Sequence, residues 1–184
     1  GVAVSAMAGI VNKLGSICNL ISNSVNAAGS SMVGQNVGAQ KYERVPRIMM
    51  TCFAFTLCSA SLMSLIIYLF PEVVFGIFTD EAAVMAIAME FLPVSVVLFM
   101  GSACRSPMNA LINGSGNHRV NFATAILDGI VMRIGLSILL GVVLGMDYIG
   151  FWLGDALAGF TPFVIGVVFY YSGVWKKGRV ETKS

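Results

Sequence analysis

The sequence predicts an all-α fold, a polytopic bundle of transmembrane helices, from its composition and from five long apolar stretches. Of its 184 residues, 57% are hydrophobic and only 11% are charged, and the mean hydropathy is +0.85. A soluble domain has about 25% charged residues and cannot bury so large an apolar fraction. A bilayer removes this difficulty, because the outer surface is then apolar as well. The net charge of +2 is too small to indicate a nucleic-acid partner.

Each apolar stretch is long enough to span a bilayer, which takes about 20 helical residues. The predicted spans cover residues 2–34, 48–70, 82–113, 120–144 and 148–171. Pro93 and Pro107 lie inside the third span and predict bends there. No linker or soluble domain separates the spans, so we expect residues 1–184 to form a single transmembrane domain. An apolar span begins close to Gly1 with no signal peptide before it, and we interpret the chain as a fragment of a longer protein.

The charges between the spans predict how the bundle is oriented. Basic residues follow the first and third spans and fill the tail: Lys41, Arg44, Arg47, His118, Arg119, Lys176, Lys177, Arg179 and Lys183. The two other loops carry only acidic charge: Glu72, Asp80, Glu81 and Asp147. The positive-inside rule places the basic loops and the C-terminus in the cytoplasm and Gly1 on the outer side. We therefore expect a multi-pass protein of the plasma (inner) membrane.

Polar residues form a stripe along one face of the first span. Steps of four and three residues, which keep side chains on one helical face, separate Asn12, Ser16, Asn19, Asn23, Asn26 and Ser30. Amides that face lipid would leave polar groups unpaired, so the stripe faces protein or water. Two interpretations stay open: the stripe lines a water-filled cavity, or it forms hydrogen bonds that hold helices together. The number of amides favours the cavity.

The third and fourth spans carry polar faces of their own. The third has Ser95, Ser102, Ser106, Asn109 and Asn113, with Arg105 beside them, and the fourth begins with Asn121, Thr124 and Asp128. We expect Ser102, Arg105 and Asn109 to line one vestibule together with the stripe of the first span. This vestibule would open toward the cytoplasm.

Charged residues within the spans predict a network, because an isolated charge is unfavourable in hydrocarbon. Arg105 and Asp128 lie about eleven residues to either side of the turn at 114–117, which puts them at equal depth, ~17 Å from the turn in straight helices. We therefore predict an ion pair between them. The spacing is also compatible with a contact between Arg133 and Asp155, although it defines this contact less well. Both a structural role and a role in substrate or proton coupling remain open.

The cysteines and the single histidine predict neither a metal site nor a cofactor. Cys18, Cys52, Cys58 and Cys104 form no CxxC pair and lie in apolar stretches, and His118 has no second histidine to work with. The intramembrane enzyme motifs HExxH and GxSxG are absent from the sequence. We expect that the chain is not an enzyme.

Three segments resemble the multidrug and toxic compound extrusion (MATE) family of secondary transporters. Residues 34–41 read GQNVGAQK and precede Glu43 and Arg44, residues 111–117 read LINGSGN, and residues 173–177 read GVWKK. Their order and spacing resemble the C-terminal half of such a transporter. The resemblance implies helices eight to twelve of a twelve-helix protein, which is an incomplete six-helix lobe. The missing N-terminal lobe would then be a partner of this chain, beside membrane lipid.

The resemblance also implies a function: antiport that exports drugs or organic metabolites, often cationic, by alternating access coupled to Na⁺ or H⁺. The vestibule would take the substrate, and Arg105, Asp128, Arg133 and Asp155 would form the coupling network. Some branches carry an acidic residue in helix ten, where this chain has Ser102, so the coupling ion stays open. The alternatives are a lipid-linked or polysaccharide flippase, which would need a more basic cavity, and a non-transporting membrane scaffold.

Overall fold

A computed structural model describes residues 1–177, which are helical and contain no strand. Five helices are long and apolar enough to cross a membrane, which confirms the predicted number of spans. The helices are α1 (Val2–Gly38), α2 (Val45–Leu69), the short α3 (Pro71–Gly76), α4 (Ala82–Gly114), α5 (His118–Val143) and α6 (Asp147–Ser172). A 3₁₀ turn at Tyr42–Arg44 precedes α2, and another at Val174–Lys176 follows α6. The basic tail residues Arg179 and Lys183 lie outside the described part of the chain.

Helix α3 and several boundaries differ from the sequence-based expectation. Residues 71–76, which were expected in a loop, form a helical turn that has Pro71 at its first position, where no N–H is needed. Helix α1 continues to Gly38 rather than ending at Gly34. Helix α4 continues through both of its prolines. These differences leave the number and order of the spans unchanged.

Helix α4 lies at the centre of the bundle and contacts all four of the other spans. Its buried side chains include Phe91 and Phe99 toward the N-terminal end, and Leu111 and Ile112 toward the basic end. Close approach to α1 depends on small residues, because a Cβ atom on Gly114 would lie 2.6 Å from the Ser30 carbonyl oxygen. The polar face of α1 is thereby fixed against α4.

Helices α5 and α6 form a tight hairpin with irregular backbone. A Cβ atom on Gly150 would lie 2.6 Å from the backbone of Leu140, and one on Gly154 would lie 2.5 Å from the Ser137 nitrogen. Helix α5 contains two π-helical segments, Leu127–Met132 and Leu139–Val143. Helix α6 consists of two segments, Asp147–Ala158 and Thr161–Ser172, with Pro162 in the first turn of the second. π-Helical segments such as the two in α5 often mark functional sites.

Candidate functional site

Four charged side chains form a continuous network across α4, α5 and α6. Arg105 Nη2 lies 3.5 Å from Asp128 Oδ2, and Arg133 Nη2 lies 3.8 Å from Asp128 Oδ1. Arg133 Nη1 also donates a 2.5 Å hydrogen bond to Asp155 Oδ1. The predicted ion pair between Arg105 and Asp128 is confirmed, and so is the contact between Arg133 and Asp155.

The contact between Asp128 and Arg133 was not predicted from the sequence, and the backbone explains why. The two residues are five positions apart, which in a regular α-helix separates their side chains by about 140° around the axis. The π-helical segment Leu127–Met132 contains Asp128 and ends directly before Arg133, and its wider turn brings positions five apart close to each other. An i, i+5 pair of opposite charges in an apolar span is the sequence signal that would have suggested it.

Asp128 is the most buried member of the network. Its side chain is 9% exposed, compared with 31% for Arg105, 33% for Arg133 and 41% for Asp155. Its Oδ1 atom is buried and accepts no hydrogen bond within residues 1–177. The two guanidinium groups therefore compensate the Asp128 charge through ionic contacts alone. With two arginines and two aspartates, the network has no net formal charge.

A cavity of about 360 Å³ lies between α1, α4, α5 and α6 on one side of the network. Its lining includes five of the predicted cavity residues: Asn12, Ser16, Asn19, Ser102 and Arg105. The coupling candidates Arg133 and Asp155 line it as well. Amides, hydroxyls and both signs of charge thus face one space in the membrane-spanning part of the chain.

A second cavity, of about 300 Å³, lies between α4, α5 and α6. It contains Asn109, the remaining α4 residue predicted to line a cavity, together with Asn113, Asn121, Thr124 and Asp128. Arg105 and Arg133 line both cavities. The two guanidinium groups therefore lie at the boundary between the first and the second cavity. The sequence predicted a single vestibule, whereas the structure has two cavities that meet at these arginines.

Asn23 and Asn26 line neither of these two cavities. Asn23 is exposed, while Asn26 Oδ1 accepts hydrogen bonds from Ser30 Oγ at 3.1 Å and from Asn113 Nδ2 of α4 at 3.4 Å. Both interpretations of the stripe therefore apply, to different parts of it. The segment that contains Asn12, Ser16 and Asn19 faces the first cavity, and Asn26 forms hydrogen bonds between helices.

Three serines join α1 to α4 through hydrogen bonds, and one of them, Ser102, also lines the first cavity. Ser22 Oγ lies 2.6 Å from Ser102 Oγ, and Ser106 Oγ donates a 2.6 Å hydrogen bond to the Ser22 carbonyl oxygen. Ser22 was not among the predicted site residues; it follows Cys18 by four residues on the buried face of α1. A small polar residue on an otherwise apolar helical face is the signal that would have identified it. Ser102 therefore has a structural role as well as a place in the cavity lining.

Within residues 1–177, no three His, Cys, Asp or Glu side chains come together as metal ligands.

A family model, MatE, matches residues 1–139. The chain belongs to the MatE family. The family resemblance found in the sequence is thereby confirmed.

Relatives of this MatE chain include proteins named for drug extrusion and drug resistance. Multidrug and toxin extrusion protein 1 of Xenopus tropicalis is 25% identical over 184 residues, which is 100% of this chain and 32% of that protein. A probable multidrug resistance protein NorM of Thermotoga maritima is 25% identical over 161 residues, covering 86% of this chain and 34% of that protein. The MatE chain thus spans about a third of the length of these two relatives. Both names describe extrusion or resistance, and neither describes an enzyme.

The fold of the MatE chain matches that of a solved transporter. The crystal structure of the eukaryotic MATE transporter AtDTX14 superposes with a TM-score of 0.85 and 19% sequence identity, covering 96% of this chain and 39% of that one. At this identity the match shows the fold alone. It agrees with five helices in the order expected for a multi-pass membrane protein of this family.

Proposed function

We propose that the chain contributes five helices of the six-helix C-terminal lobe of an antiporter that exports drugs or organic metabolites, driven by Na⁺ or H⁺. The observation that carries this proposal is the network of Arg105, Asp128, Arg133 and Asp155 at the boundary of two cavities inside the membrane-spanning region. Charges in such a position mark substrate or ion pathways in membrane proteins. Because the chain spans about a third of its relatives, residues 1–184 would form one transmembrane domain that an N-terminal lobe completes.

The first cavity is the proposed substrate site. Asn12, Ser16 and Asn19 supply amide and hydroxyl groups without a fixed charge, which suits compounds that differ in shape and in hydrogen-bonding pattern. Asp155 is the more exposed carboxylate, so that a cationic group of a substrate would approach it most readily. Ser102, Arg105 and Asn109 complete the set of contacts toward the second cavity.

The coupling step follows from the arrangement of charges. An incoming Na⁺ or H⁺ that neutralises Asp128 or Asp155 weakens the hold of that carboxylate on Arg133. Since Arg133 joins α5 to α6 and Asp128 joins α5 to α4, neutralisation would loosen the packing of these helices. Alternating access in such folds moves one repeat against the other around a site between them. No cofactor is required for this cycle.

The proposed location is the plasma (inner) membrane, with the C-terminus in the cytoplasm. It rests on the basic ends of α1, α4 and α6 and on the acidic loops at the other end of the bundle. In a background without native cysteines, Asp147→Cys should react with an impermeant thiol reagent added outside, and His118→Cys should not. The opposite labelling pattern would reverse the topology.

A flippase for lipid-linked saccharides is the second transport candidate. Such a cavity would hold a pyrophosphate group with an excess of positive charge, whereas each arginine in this network contacts an aspartate. The zero net charge of the network therefore favours the exporter. A non-transporting scaffold would leave two polar cavities inside a membrane protein without a role.

The test is transport by the complete protein, with both lobes, in liposomes that contain a fluorescent organic cation. We expect efflux that depends on an imposed Na⁺ or H⁺ gradient and that is lost in Asp128→Asn. The chain without its N-terminal lobe should give no efflux. Efflux by that chain alone, or efflux that ignores both gradients, would contradict the proposal. Movement of a labelled polyprenyl-pyrophosphate saccharide instead of the cation would favour the flippase.

A further inference from the structure

Aromatic and basic side chains from two distant parts of the sequence meet at the basic end of the bundle. The Tyr42 hydroxyl, in the turn between α1 and α2, donates a 3.2 Å hydrogen bond to the carbonyl oxygen of Lys176, beyond α6. The Tyr42 ring also meets the Trp175 ring edge to face, with centroids 5.9 Å apart. The turn after α1 and the turn after α6 are therefore joined into one surface.

Trp175 holds this surface rigidly in place. Its side chain is 3% exposed, and its Nε1 donates a 2.9 Å hydrogen bond to the Tyr170 carbonyl oxygen. Its ring stacks on the Tyr170 ring at 5.8 Å with an 8° angle between the planes. Because these contacts fix the backbone, the lysines that follow Trp175 remain beside the turn that contains Tyr42.

Positive charge dominates this surface. Lys41, Arg44 and Arg47 flank Tyr42, and Lys176 and Lys177 follow Trp175; all five are exposed, and Glu43 is the single acidic residue in these two segments. None of the five forms an ion pair within the described part of the chain. Lys176 Nζ lies 5.3 Å from the centroid of the Trp175 ring, which leaves its charge available above the aromatic group.

The lipid-facing surface continues directly from this basic patch. Met50 on α2 is 68% exposed, and Val168 and Tyr171 on α6 are 64% and 82% exposed. Aromatic residues with basic neighbours are typical of the boundary between acyl chains and headgroups. A molecule that meets both surfaces has an apolar tail and a negative headgroup.

We propose that Lys41, Arg44, Arg47, Lys176 and Lys177 form a binding surface for the phosphate headgroup of an anionic phospholipid. The cytoplasmic leaflet carries such lipids, and basic side chains next to membrane spans attract them. The continuity with lipid-facing side chains favours a phospholipid over a soluble phosphate compound. This surface lies away from the four-charge network, and its occupation does not depend on transport.

The two tryptophans of the chain provide the test, because they lie at opposite ends of the bundle. Trp152 contacts Phe91 and Tyr148 near the acidic loops. In the complete protein, with any tryptophan outside residues 1–184 replaced by phenylalanine, Trp152→Phe leaves Trp175 as the single tryptophan at the proposed surface, and Trp175→Phe leaves Trp152 as the reference. Each variant is reconstituted in vesicles of phosphatidylcholine or phosphatidylglycerol with brominated acyl chains, and quenching gives the relative affinity for the two lipids.

We expect Trp175 to report a preference for phosphatidylglycerol of about tenfold, and Trp152 to report none. Adding Lys176→Gln and Lys177→Gln should lower the preference at Trp175 at least threefold. Lys13→Gln, which removes a charge near Phe78 at the other end, should leave it unchanged. Raising the salt from about 0.05 M to about 0.5 M should weaken the preference in the unaltered surface, which tests the proposal even if the double variant does not fold. Equal quenching by the two lipids at Trp175, or a preference that survives both the double substitution and high salt, would overturn it.

Discussion

The hydroxyl of Thr56 on α2 lies 3.0 Å from the carbonyl oxygen of Ala103 on α4 and 3.0 Å from that of Cys52 in its own helix, so that the two oxygens share its hydrogen. Four residues after Ala103 stands Pro107, which has no N–H and cannot provide the usual helical partner for that carbonyl. Within a bilayer, an unsatisfied backbone carbonyl costs several kcal/mol. Helix α2 therefore supplies a hydrogen bond in place of the one that the proline removes.

Replacing Thr56 with valine should destabilise the chain because it leaves the Ala103 carbonyl without a partner. We expect a loss of about 0.6 kcal/mol in the free energy of unfolding, the average for hydrogen bonds between membrane helices, and of no more than about 1.7 kcal/mol. Thr51→Val is the matched control, since the Thr51 hydroxyl bonds only within its own helix, to Arg47. Unfolding in mixed detergent micelles, followed by circular dichroism, measures both. Equal losses in the two variants would show that the bond to α4 adds nothing.

Gly154→Ala should separate α5 from α6. The new methyl group would meet the Ser137 backbone nitrogen at 2.5 Å, and backbone cannot move aside as a flexible side chain can. Overpacking of this kind costs about 1–3 kcal/mol. Gly135→Ala on α5 is the control, because a Cβ atom there meets nothing within 4 Å and alanine favours the helix. The same unfolding measurement should show a loss for position 154 only.

The number and order of the spans were predictable because the length of an apolar stretch and the charge of a loop are properties of many residues together. Short irregular segments within a helix leave no such pattern in the sequence. The ion pair between Arg105 and Asp128 follows from equal spacing about a turn. The contact between Asp128 and Arg133 depends on a π-helical segment, which no periodicity in residues 127–132 indicates. The sequence also did not show which residues of the polar stripe line a cavity and which bond to another helix. The role of Asn26 depends on where α4 crosses α1, because that crossing brings Asn113 within hydrogen-bonding distance.

Asp128→Asn should destabilise the chain more than Asp155→Asn does. Asp128 is 9% exposed and compensates two guanidinium groups, so its loss leaves Arg105 without a carboxylate and Arg133 with Asp155 alone, at about 1–3 kcal/mol. Asp155 is 41% exposed and contacts Arg133 alone, so its loss should cost about 1 kcal/mol or less. The free energies of unfolding of the two variants test this order. Similar losses would mean that water screens Asp128 as well as it screens Asp155.

Exchanging Arg105 and Asp128 should restore little stability, because the pair is not isolated. An arginine at position 128 would face Arg133, which lies 3.8 Å from the present carboxylate. We therefore expect the double variant Arg105→Asp with Asp128→Arg to stay well below the wild type in its free energy of unfolding. Adding Arg133→Gln removes the new repulsion and should recover part of the loss. Full recovery by the exchange alone would show that Arg133 does not interact with position 128.

Asn19→Ala and Asn26→Ala should affect the complete transporter in different ways. Asn19 lines the first cavity, so its loss should change the relative transport of different organic cations while the amount of protein in the membrane stays near that of the wild type. Asn26 accepts hydrogen bonds from Ser30 and from Asn113 on α4, so its loss should lower abundance and leave transport per molecule unchanged. Asn23→Ala serves as the control, because this exposed amide lines neither cavity. Efflux of several dyes, each divided by the amount of protein from quantitative blotting, separates the two effects. A change of substrate profile in Asn26→Ala with normal abundance would place that residue in the substrate path and extend the cavity along the whole stripe.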